Sequence, residues 1–264
     1  MTVVELRDRD ALARFFRQRA GVHAYELGDL DDFFWPRTRW LARHVDGELQ
    51  EVVLLYDEPD PPVLIALADD VGAMSTLLDD VADELPSAVY AHLSPDLVAA
   101  LAPRLVPAHE PAAHRKLTLV DPDAVEAYDR PEAETLDAGD LPEVASFYER
   151  AYPGTWFQPR MLETGRYVGI RRSGELVCVA GVHVWSPAYG VAALGNVATT
   201  PEARGQGLGT GACARLCRIL LEDGIDVISL NVRADNAAAI RSYEKLGFEH
   251  AADYVEVLLG APAA

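Results

Sequence analysis

The sequence predicts an α/β fold with a mixed sheet, built from two similar halves. Helix and strand signals alternate along the chain, and the same order of helices and strands occurs twice. Apolar runs such as Val63–Ala68 have the length of buried strands and fall short of a membrane span. The 264 residues exceed one average domain, so we predict domains at residues 1–130 and 131–264 with a boundary at Tyr128–Glu132.

The first half contains a predicted helix, a strand pair and further alternating elements. An Asp46-Gly47 turn joins the paired strands, and Pro86 closes the second helix. The predicted helices are Arg7–Ala20, Val71–Glu84 and Pro95–Leu101. The predicted strands are Arg39–Val45, Gln50–Leu55, Val63–Ala68, Ala88–His92 and Arg115–Val120.

The second half repeats this order. Asp140 is the predicted N-cap of its first helix, with Pro142 just inside and Glu143 at the capping-box position. The predicted helices are Pro142–Tyr152, Leu208–Leu221 and Asn236–Leu246, the last one ended by Gly247. The predicted strands are Glu134–Leu136, Tyr167–Arg172, Leu176–Trp185, Val191–Thr199, Asp226–Val232 and Tyr254–Leu259.

Composition excludes several classes of partner. The formal net charge of −19 argues against nucleic acid and against anionic membranes. Three cysteines cannot form a disulfide framework, and the first residues lack the layout of a signal peptide. We therefore expect a cytoplasmic protein with reduced cysteines, and both a monomer and a homodimer are compatible with the sequence.

Four glycines lie between Gly205 and Gly211, where a predicted strand passes into a helix. Residues without Cβ atoms let backbone N–H groups converge, and the helix N-terminus adds unpaired donors. This arrangement predicts a site for a phosphate or diphosphate. A P-loop would require a lysine after the glycines, and a dinucleotide fingerprint would require a different glycine spacing, so both are rejected.

The pattern Arg204-x-x-Gly207-x-Gly209 resembles the acyl-CoA signature of the GNAT superfamily of N-acyltransferases. The segment Asn236-x-x-Ala239-x-x-x-Tyr243-x-x-x-Gly247-Phe248 resembles the second signature of that family. The resemblance covers roughly residues 134–259. It implies a splayed mixed sheet with acetyl-CoA between two parting strands, no resident metal, and two GNAT-like domains of which the second carries the CoA site.

The resemblance also implies which residues contact the coenzyme. The pantetheine arm would meet the backbone of Val197, Ala198 and Thr199, and Asn236 would contact cofactor or substrate unless it only caps its helix. The side chain of Arg204 is equally suited to an ion pair with Glu202. The expected loop contacts are Arg204, Gly205, Gln206, Gly207, Leu208, Gly209 and Thr210.

Tyr243 is the expected proton donor to the departing thiolate, a role that the resemblance implies. The general base is open: the strand before the glycine loop has no carboxylate, which leaves Glu149 and His183 as candidates. A buried histidine with satisfied hydrogen bonds is the better interpretation of His183. A base acting through water, or an acceptor that arrives uncharged, would need neither residue.

Other notable residues favour structural roles. Cys213 and Cys217 share a helix face without partners at ligand spacing, so they are expected in the core. The histidines form no metal-binding pattern, and no metal site is predicted. Trp156 and Phe157 line an acceptor pocket or cover the core. A further apolar cluster is predicted from Phe33, Phe34, Trp35 and Trp40.

The predicted function is acetyl transfer from acetyl-CoA directly to the amine of a small molecule or peptide. The first half lacks the glycine loop, and its corresponding junction carries Asp69 and Asp70, which would repel a diphosphate. It is therefore expected to be a degenerate copy that shapes the acceptor cleft. The alternatives are a non-catalytic acyl-CoA-binding sensor and an enzyme that binds a nucleotide phosphate at the same loop.

Overall fold

In a computed structural model, which describes residues 2–58, 60–102 and 104–262, the strands of both halves join in one mixed sheet. The strands of the first half are β1 (Thr2–Glu5), β2 (Thr38–Val45), β3 (Glu48–Tyr56), β4 (Val63–Ala66), β5 (Ala88–Leu93), β6 (Val106–Pro107) and β7 (Ala112–Leu119). Those of the second half are β8 (Glu134–Leu136), β9 (Tyr167–Arg172), β10 (Glu175–Ser186), β11 (Val191–Thr199), β12 (Val227–Arg233) and β13 (Phe248–Gly260).

Helices cover both faces of this sheet. They are α1 (Arg9–Phe16), α2 (Ala24–Gly28), α3 (Val71–Asp80), α4 (Leu97–Leu101), α5 (Leu141–Ala151), α6 (Leu208–Glu222) and α7 (Ala237–Lys245). Within the described part of the chain, no helix combines the length and apolar character needed to cross a bilayer. The predicted α/β fold with a mixed sheet is confirmed.

The two halves exchange their closing strands. The sheet order is β1-β2-β3-β4-β5-β13-β7-β12-β11-β10-β9-β8, so β7 of the first half lies between β12 and β13 of the second. In return, β13 lies between β5 and β7 of the first half. Because each half supplies a strand to the other, neither completes its own part of the sheet.

The exchange also joins the cores. Val257 and Leu259 of β13 are fully buried, and they pack among the apolar residues of the first half around α3 and α4. Conversely, Leu117 of β7, in the first half, packs in the core of the second half around α5, α6 and α7. The two halves therefore share apolar contacts as well as backbone hydrogen bonds.

Asp140 holds the N-cap position of α5 with Pro142 just inside, as predicted, but the expected capping box is wrong. Asp137 caps the preceding turn by accepting from the Gly139 N–H at 2.7 Å, and Asp140 accepts from the Asp137 N–H at 2.9 Å. Glu143 does not complete a capping box at Asp140, because it accepts from Arg171 at 2.7 Å. A nearby guanidinium on the adjacent strand competes successfully for this carboxylate.

Other predicted elements differ only in their bounds. The helix expected over Arg7–Ala20 is α-helical to Phe16 and continues as a 3-10 turn over Arg17–Arg19. The last strand begins at Phe248 rather than Tyr254 because its first residues pair with β7. In the predicted aromatic cluster, Trp40 is fully buried and stacks on Trp35.

The shared core predicts cooperative unfolding. Leu259→Ala removes a fully buried side chain of the second half from the core of the first, so we expect the free energy of unfolding to fall by ~2–5 kcal/mol. Urea denaturation, followed by both fluorescence and circular dichroism, should show one transition shifted for the whole chain. Val120→Ala, at a half-exposed position, is the control and should change little. Two separate transitions would contradict this prediction.

Candidate active site

The site begins where β11 and β12 part. These strands pair in parallel from Val191 with Val227 to Leu194 with Leu230, and the pairing ends there. Beyond this point each strand has one edge without a strand partner in the described structure. The gap between the two edges is therefore lined with main-chain groups, as expected for a cleft that binds an extended ligand arm.

Asn196 sits at the start of the gap in an unusual conformation. Its φ of 54° lies in the left-handed region, and the register between β10 and β11 shifts beside it. Hydrogen bonds hold it in place: the Tyr148 hydroxyl donates to the Asn196 carbonyl at 2.7 Å, and the Asn196 Nδ2 donates to the Tyr167 hydroxyl at 2.9 Å. The irregularity in β11 is thus fixed by buried side chains.

The segment predicted to contact the pantetheine arm lies along this edge. The Thr200 N–H donates to the Val177 carbonyl at 2.9 Å, so alternate residues of β11 direct their main-chain groups toward β10. Ala198 belongs to that set and pairs with Val179. The main-chain groups of Val197 and Thr199 consequently face the gap.

The glycine loop leaves a run of amides without acceptors. Gly205 and Gly207 have φ values of 76° and 74°, a region that favours glycine, and α6 starts directly afterwards. Among the described residues, no acceptor receives the backbone N–H groups from Gly205 through Thr210. The first amide of the helix that is bonded is that of Gly211, which donates to Gly207 at 3.0 Å. These free donors at a helix N-terminus form an anion-binding surface.

A groove of about 430 Å³ adjoins this loop. Its wall includes Gly207 and Thr210 on one side and Lys245 at the end of α7. Arg130 crosses Gly211 so closely that a Cβ atom there would overlap its side chain, and it pairs with Glu132 at 3.1 Å. Two cations therefore stand beside the free amides.

The polar side chains of the loop have local partners. Arg204 Nε donates to the Thr199 carbonyl at 3.2 Å and forms no ion pair with Glu202 in the described structure. Gln206 Nε2 donates to the Glu202 carbonyl at 3.5 Å. Asn236 Oδ1 accepts from the Ala239 N–H at 3.1 Å and so caps α7.

The corresponding junction of the first half is closed to anions. Asp70 caps α3 by accepting from the Ala73 N–H at 3.0 Å, so a carboxylate already occupies the position of a ligand. Asp69 lies beside it and forms an ion pair with Arg19. Carboxylates on the helix N-terminus satisfy its donors and repel a further anion.

Tyr243 lies on α7 and is buried, with 8% of its surface exposed. Its ring packs against Phe248, and its hydroxyl has no hydrogen-bond partner among the described residues. Burial next to Cys213 and Cys217 raises the pKa of this phenol well above its usual value. Tyr243 is therefore protonated at neutral pH, as a proton donor must be. Both cysteines are buried core residues, as predicted.

Glu149 stands away from this arrangement. It lies on the exposed face of α5 and makes no hydrogen bond or ion pair within the described structure. The neighbouring Tyr148 is the residue of α5 that reaches the gap.

His183 is a partly buried histidine with both ring nitrogens bonded. Its Nε2 lies 3.1 Å from the Asn196 Oδ1, and its Nδ1 lies 3.1 Å from the Tyr25 hydroxyl. An amide oxygen only accepts, so Nε2 carries the proton and Nδ1 accepts from Tyr25. Burial lowers the pKa of His183, which keeps the ring neutral. The structural interpretation of this residue is confirmed, and no free lone pair remains for a base.

Sequence reasoning missed two residues at the head of the gap. Asn231 follows Leu230, the last residue of β12 that pairs with β11. Its Oδ1 is buried without a hydrogen bond. Lys116 of β7 lies directly opposite Asn231 and is 1% exposed. A signal existed for Lys116, because it is one of only two lysines and falls within a predicted strand.

A buried carboxylate was missed as well. Glu256 of β13 accepts from the Tyr90 hydroxyl at 2.6 Å and from the Tyr254 hydroxyl at 2.5 Å. His92 and His114 lie 3.8 and 3.6 Å away, and together these groups lower its pKa to about 2 against the opposing effect of burial. The sequence did contain a signal for Glu256: it lies two residues after Tyr254 in the last strand, so both side chains are on one face of the sheet.

Comparisons with known proteins agree with this geometry. A model of the acetyltransferase (GNAT) family matches residues 130–248. The chain is 32% identical over 121 residues to the ribosomal protein bS18-alanine N-acetyltransferase of Escherichia coli K12, covering 44% of this chain and 80% of that enzyme. It is 36% identical over 99 residues to the mycothiol acetyltransferase of Tsukamurella paurometabola, covering 36% of this chain and 34% of that protein.

A solved structure extends the similarity into the first half. An acetyltransferase of the GNAT family from Novosphingobium aromaticivorans DSM 12444 is 26% identical, covers 80% of this chain and 89% of its own, and gives a TM-score of 0.57. The parted strands and the free amides of the loop are the features that this family resemblance implied. The chain belongs to the acetyltransferase (GNAT) family and is an enzyme that transfers an acetyl group to an amine.

Proposed function

We propose that the acetyl donor is acetyl-CoA, held with its diphosphate on the amides of Gly205 through Thr210. The run of unbonded N–H groups at the start of α6 carries this proposal, because such donors match the oxygens of a diphosphate. The pantetheine arm follows the main chain of Val197 and Thr199 into the gap. Residues 131–264 thus form the coenzyme-binding domain, and residues 1–130 form a degenerate copy without a coenzyme site.

We further propose that the groove beside the loop takes the 3′-phosphate end of the coenzyme. Arg130 and Lys245 are the cations of this groove, and Tyr128, which is 39% exposed, offers a ring to the adenine. Lys245 has no ion pair in the described structure, so its charge is available to a phosphate.

The chemistry follows from the positions of the side chains. Acetyl-CoA, when bound, supplies an acyl group activated as a thioester. Tyr243 donates its proton to the sulfur as the C–S bond breaks, and solvent returns a proton to the phenolate. The N–C bond to the acceptor amine forms at the head of the gap, near Asn231. The products are an amide and the free thiol.

The acceptor is proposed to be the amine of a small molecule or a peptide. One relative is named for a ribosomal-protein alanine and the other for mycothiol, so both classes occur among similar enzymes. We also propose a cytoplasmic enzyme that acts as a monomer or homodimer without a nucleic-acid or membrane partner, in keeping with the net charge of −19 and the free, buried cysteines.

Gly207→Val tests the diphosphate site. A branched residue cannot adopt the positive φ at this position without strain, so the amides move and we expect the dissociation constant for CoA to rise at least tenfold. Isothermal titration measures it. Gly224→Val is the matched control, because Gly224 has a φ of 81°, open space around it and a place beyond the other end of α6. Unchanged CoA binding by Gly207→Val would refute the proposed site.

Tyr243→Phe tests the proton donor. Phenylalanine keeps the ring contact with Phe248 but has no proton to give, so kcat should fall by about 10²-fold or more while CoA affinity stays unchanged. Single-turnover kinetics and CoA titration together separate the two effects. A variant with undiminished kcat would remove Tyr243 from the chemistry.

The groove is tested by comparing CoA with 3′-dephospho-CoA. The wild-type enzyme should bind CoA about tenfold more tightly, because a charged hydrogen bond contributes roughly 1.5–3 kcal/mol. The double variant Arg130→Ala/Lys245→Ala should lose this preference and bind both compounds alike. Equal binding of the two compounds by the wild-type enzyme would place the 3′-phosphate outside the groove.

A further inference from the structure

The acceptor end of the gap contains an amide and an ammonium, one from each half. Asn231 and Lys116 are directly opposed in the antiparallel pair of β12 and β7, so their side chains share one face with Cβ atoms roughly 5 Å apart. The Asn231 Oδ1 is buried and unbonded, which is costly unless a ligand supplies a donor. It lies one residue past the point where β11 and β12 separate.

Two aromatic rings flank the side-chain nitrogen of Lys116. Its Nζ lies 4.7 Å from the centre of the Tyr25 ring and 5.5 Å from that of Tyr254, an arrangement that favours the ammonium. Burial lowers its pKa, whereas the charges of Glu26, Glu256 and Asp29 oppose this shift. No carboxylate of the described residues lies within 4 Å of it.

Charged and titratable groups approach this pair from several elements. They are Tyr25 and Glu26 of α2, Asp29 just after α2, His92 of β5, His114 of β7, His183 of β10, Arg233 of β12, and Tyr254 and Glu256 of β13.

Several of the possible bases among them already have hydrogen-bond partners, although His92 Nδ1 and the second carboxylate oxygen of Glu26 are buried without one. Both nitrogens of His183 are bonded, as described above. Glu26 is paired with His23 at 2.8 Å. Glu256 accepts from two tyrosines, and its pKa of about 2 makes it a weak base. The residue at the gap itself, Asn231, is an amide and cannot accept a proton.

We propose that the acceptor amine binds only as the uncharged free base, donating one N–H to Asn231 Oδ1 while the neighbouring Lys116 ammonium excludes the protonated form. This inference rests on the proposed function and names its substrate class. The preferred acceptors are α-amino groups of amino acids or peptides rather than lysine side chains.

The acyl transfer step balances without an enzyme base. The lone pair of the free amine forms the N–C bond, and the C–S bond breaks as the sulfur takes the proton of Tyr243. The nitrogen, positively charged after attack, releases its extra proton to water. Lys116 assists this loss, because a nearby positive charge favours the neutral form of the nitrogen.

The size of the preference follows from the acidities of the amines. An α-amino group has a pKa of roughly 7.7–8.0 and a lysine side chain roughly 10.4, so at pH 7 the neutral fraction of the former is roughly 300-fold larger. A free lysine amine is the stronger nucleophile, which offsets part of this ratio. We expect kcat/KM to favour the α-amine by about 30-fold or more at pH 7.

The first experiment compares alaninamide with Nα-acetyl-lysinamide from pH 6.5 to 9.5, with saturating acetyl-CoA. The inflection of kcat/KM should follow the amine of each acceptor, levelling near pH 8 for alaninamide and still rising at pH 9.5 for the lysine compound. Over the same range kcat for alaninamide should stay nearly constant, because only the free base binds. A common inflection for both acceptors, or equal rates at pH 7, would overturn the inference.

Two variants test the residues separately. Lys116→Met keeps the shape of the side chain but lets the ammonium form bind, so kcat for alaninamide should acquire an inflection near its amine pKa. Asn231→Asp attracts the ammonium form and supplies a base, so the α-to-ε preference at pH 7 should fall at least fivefold. Gln50→Glu, which adds the same charge at an exposed position of β3, is the control and should keep the wild-type profile.

CoA binding distinguishes failure of the proposed function from failure of the role proposed for Asn231 and Lys116. If CoA fails to stabilise the wild-type protein in a thermal-shift measurement, the proposed function itself is wrong. If CoA binds and amines are acetylated, but both variants keep the wild-type pH profiles, only the role of Asn231 and Lys116 is refuted. If Lys116→Met does not fold, the acceptor comparison and Asn231→Asp still decide the question.

Discussion

The proposed coenzyme cleft depends on the loss of hydrogen bonding between β11 and β12. A parallel pair that continued past Leu194 and Leu230 would satisfy the main-chain groups that now face the gap. The left-handed Asn196 lies just past the last paired residue, and the buried hydroxyls of Tyr148 and Tyr167 hold it in place through hydrogen bonds. Backbone strain at this residue is therefore stabilised by the second-half core, and the binding cleft is built into the sheet before any ligand arrives.

Under the proposed function, the exchanged strands give the first half a part in the chemistry without a coenzyme site of its own. Asp70 caps the helix N-terminus at the corresponding junction, so a carboxylate already occupies the place of an anion there. The closing strand β7 of the first half nevertheless borders β12 and brings Lys116 to the acceptor end of the gap. From α2, Tyr25 reaches His183 across the same face. A separate second half would lack both groups as well as the strand that carries Lys116.

Local patterns predict the glycine loop and the helix that carries Tyr243, whereas the place of Lys116 beside Asn231 depends on long-range strand pairing. The positive φ values at Gly205 and Gly207 and the place of Tyr243 on α7 follow from short segments. Lys116 and Asn231 are far apart in the sequence and become neighbours only because β7 pairs with β12. The periodicity of the sequence does not reveal this exchange of strands. The capping box predicted at Glu143 failed for a similar reason. Arg171, which is distant in the sequence, binds the Glu143 carboxylate instead.

The buried lysine is expensive for the fold, which argues for a functional reason to keep it. An ammonium with no carboxylate within 4 Å among the described residues loses its hydration and regains only ring contacts and longer-range attraction. An apolar side chain of similar length would fill the same space at lower cost. Where the amine must lose a proton, a fixed positive charge performs part of that task by disfavouring the protonated nitrogen. The buried positive charge of Lys116 thus accounts both for the cost in stability and for the selection of the free base.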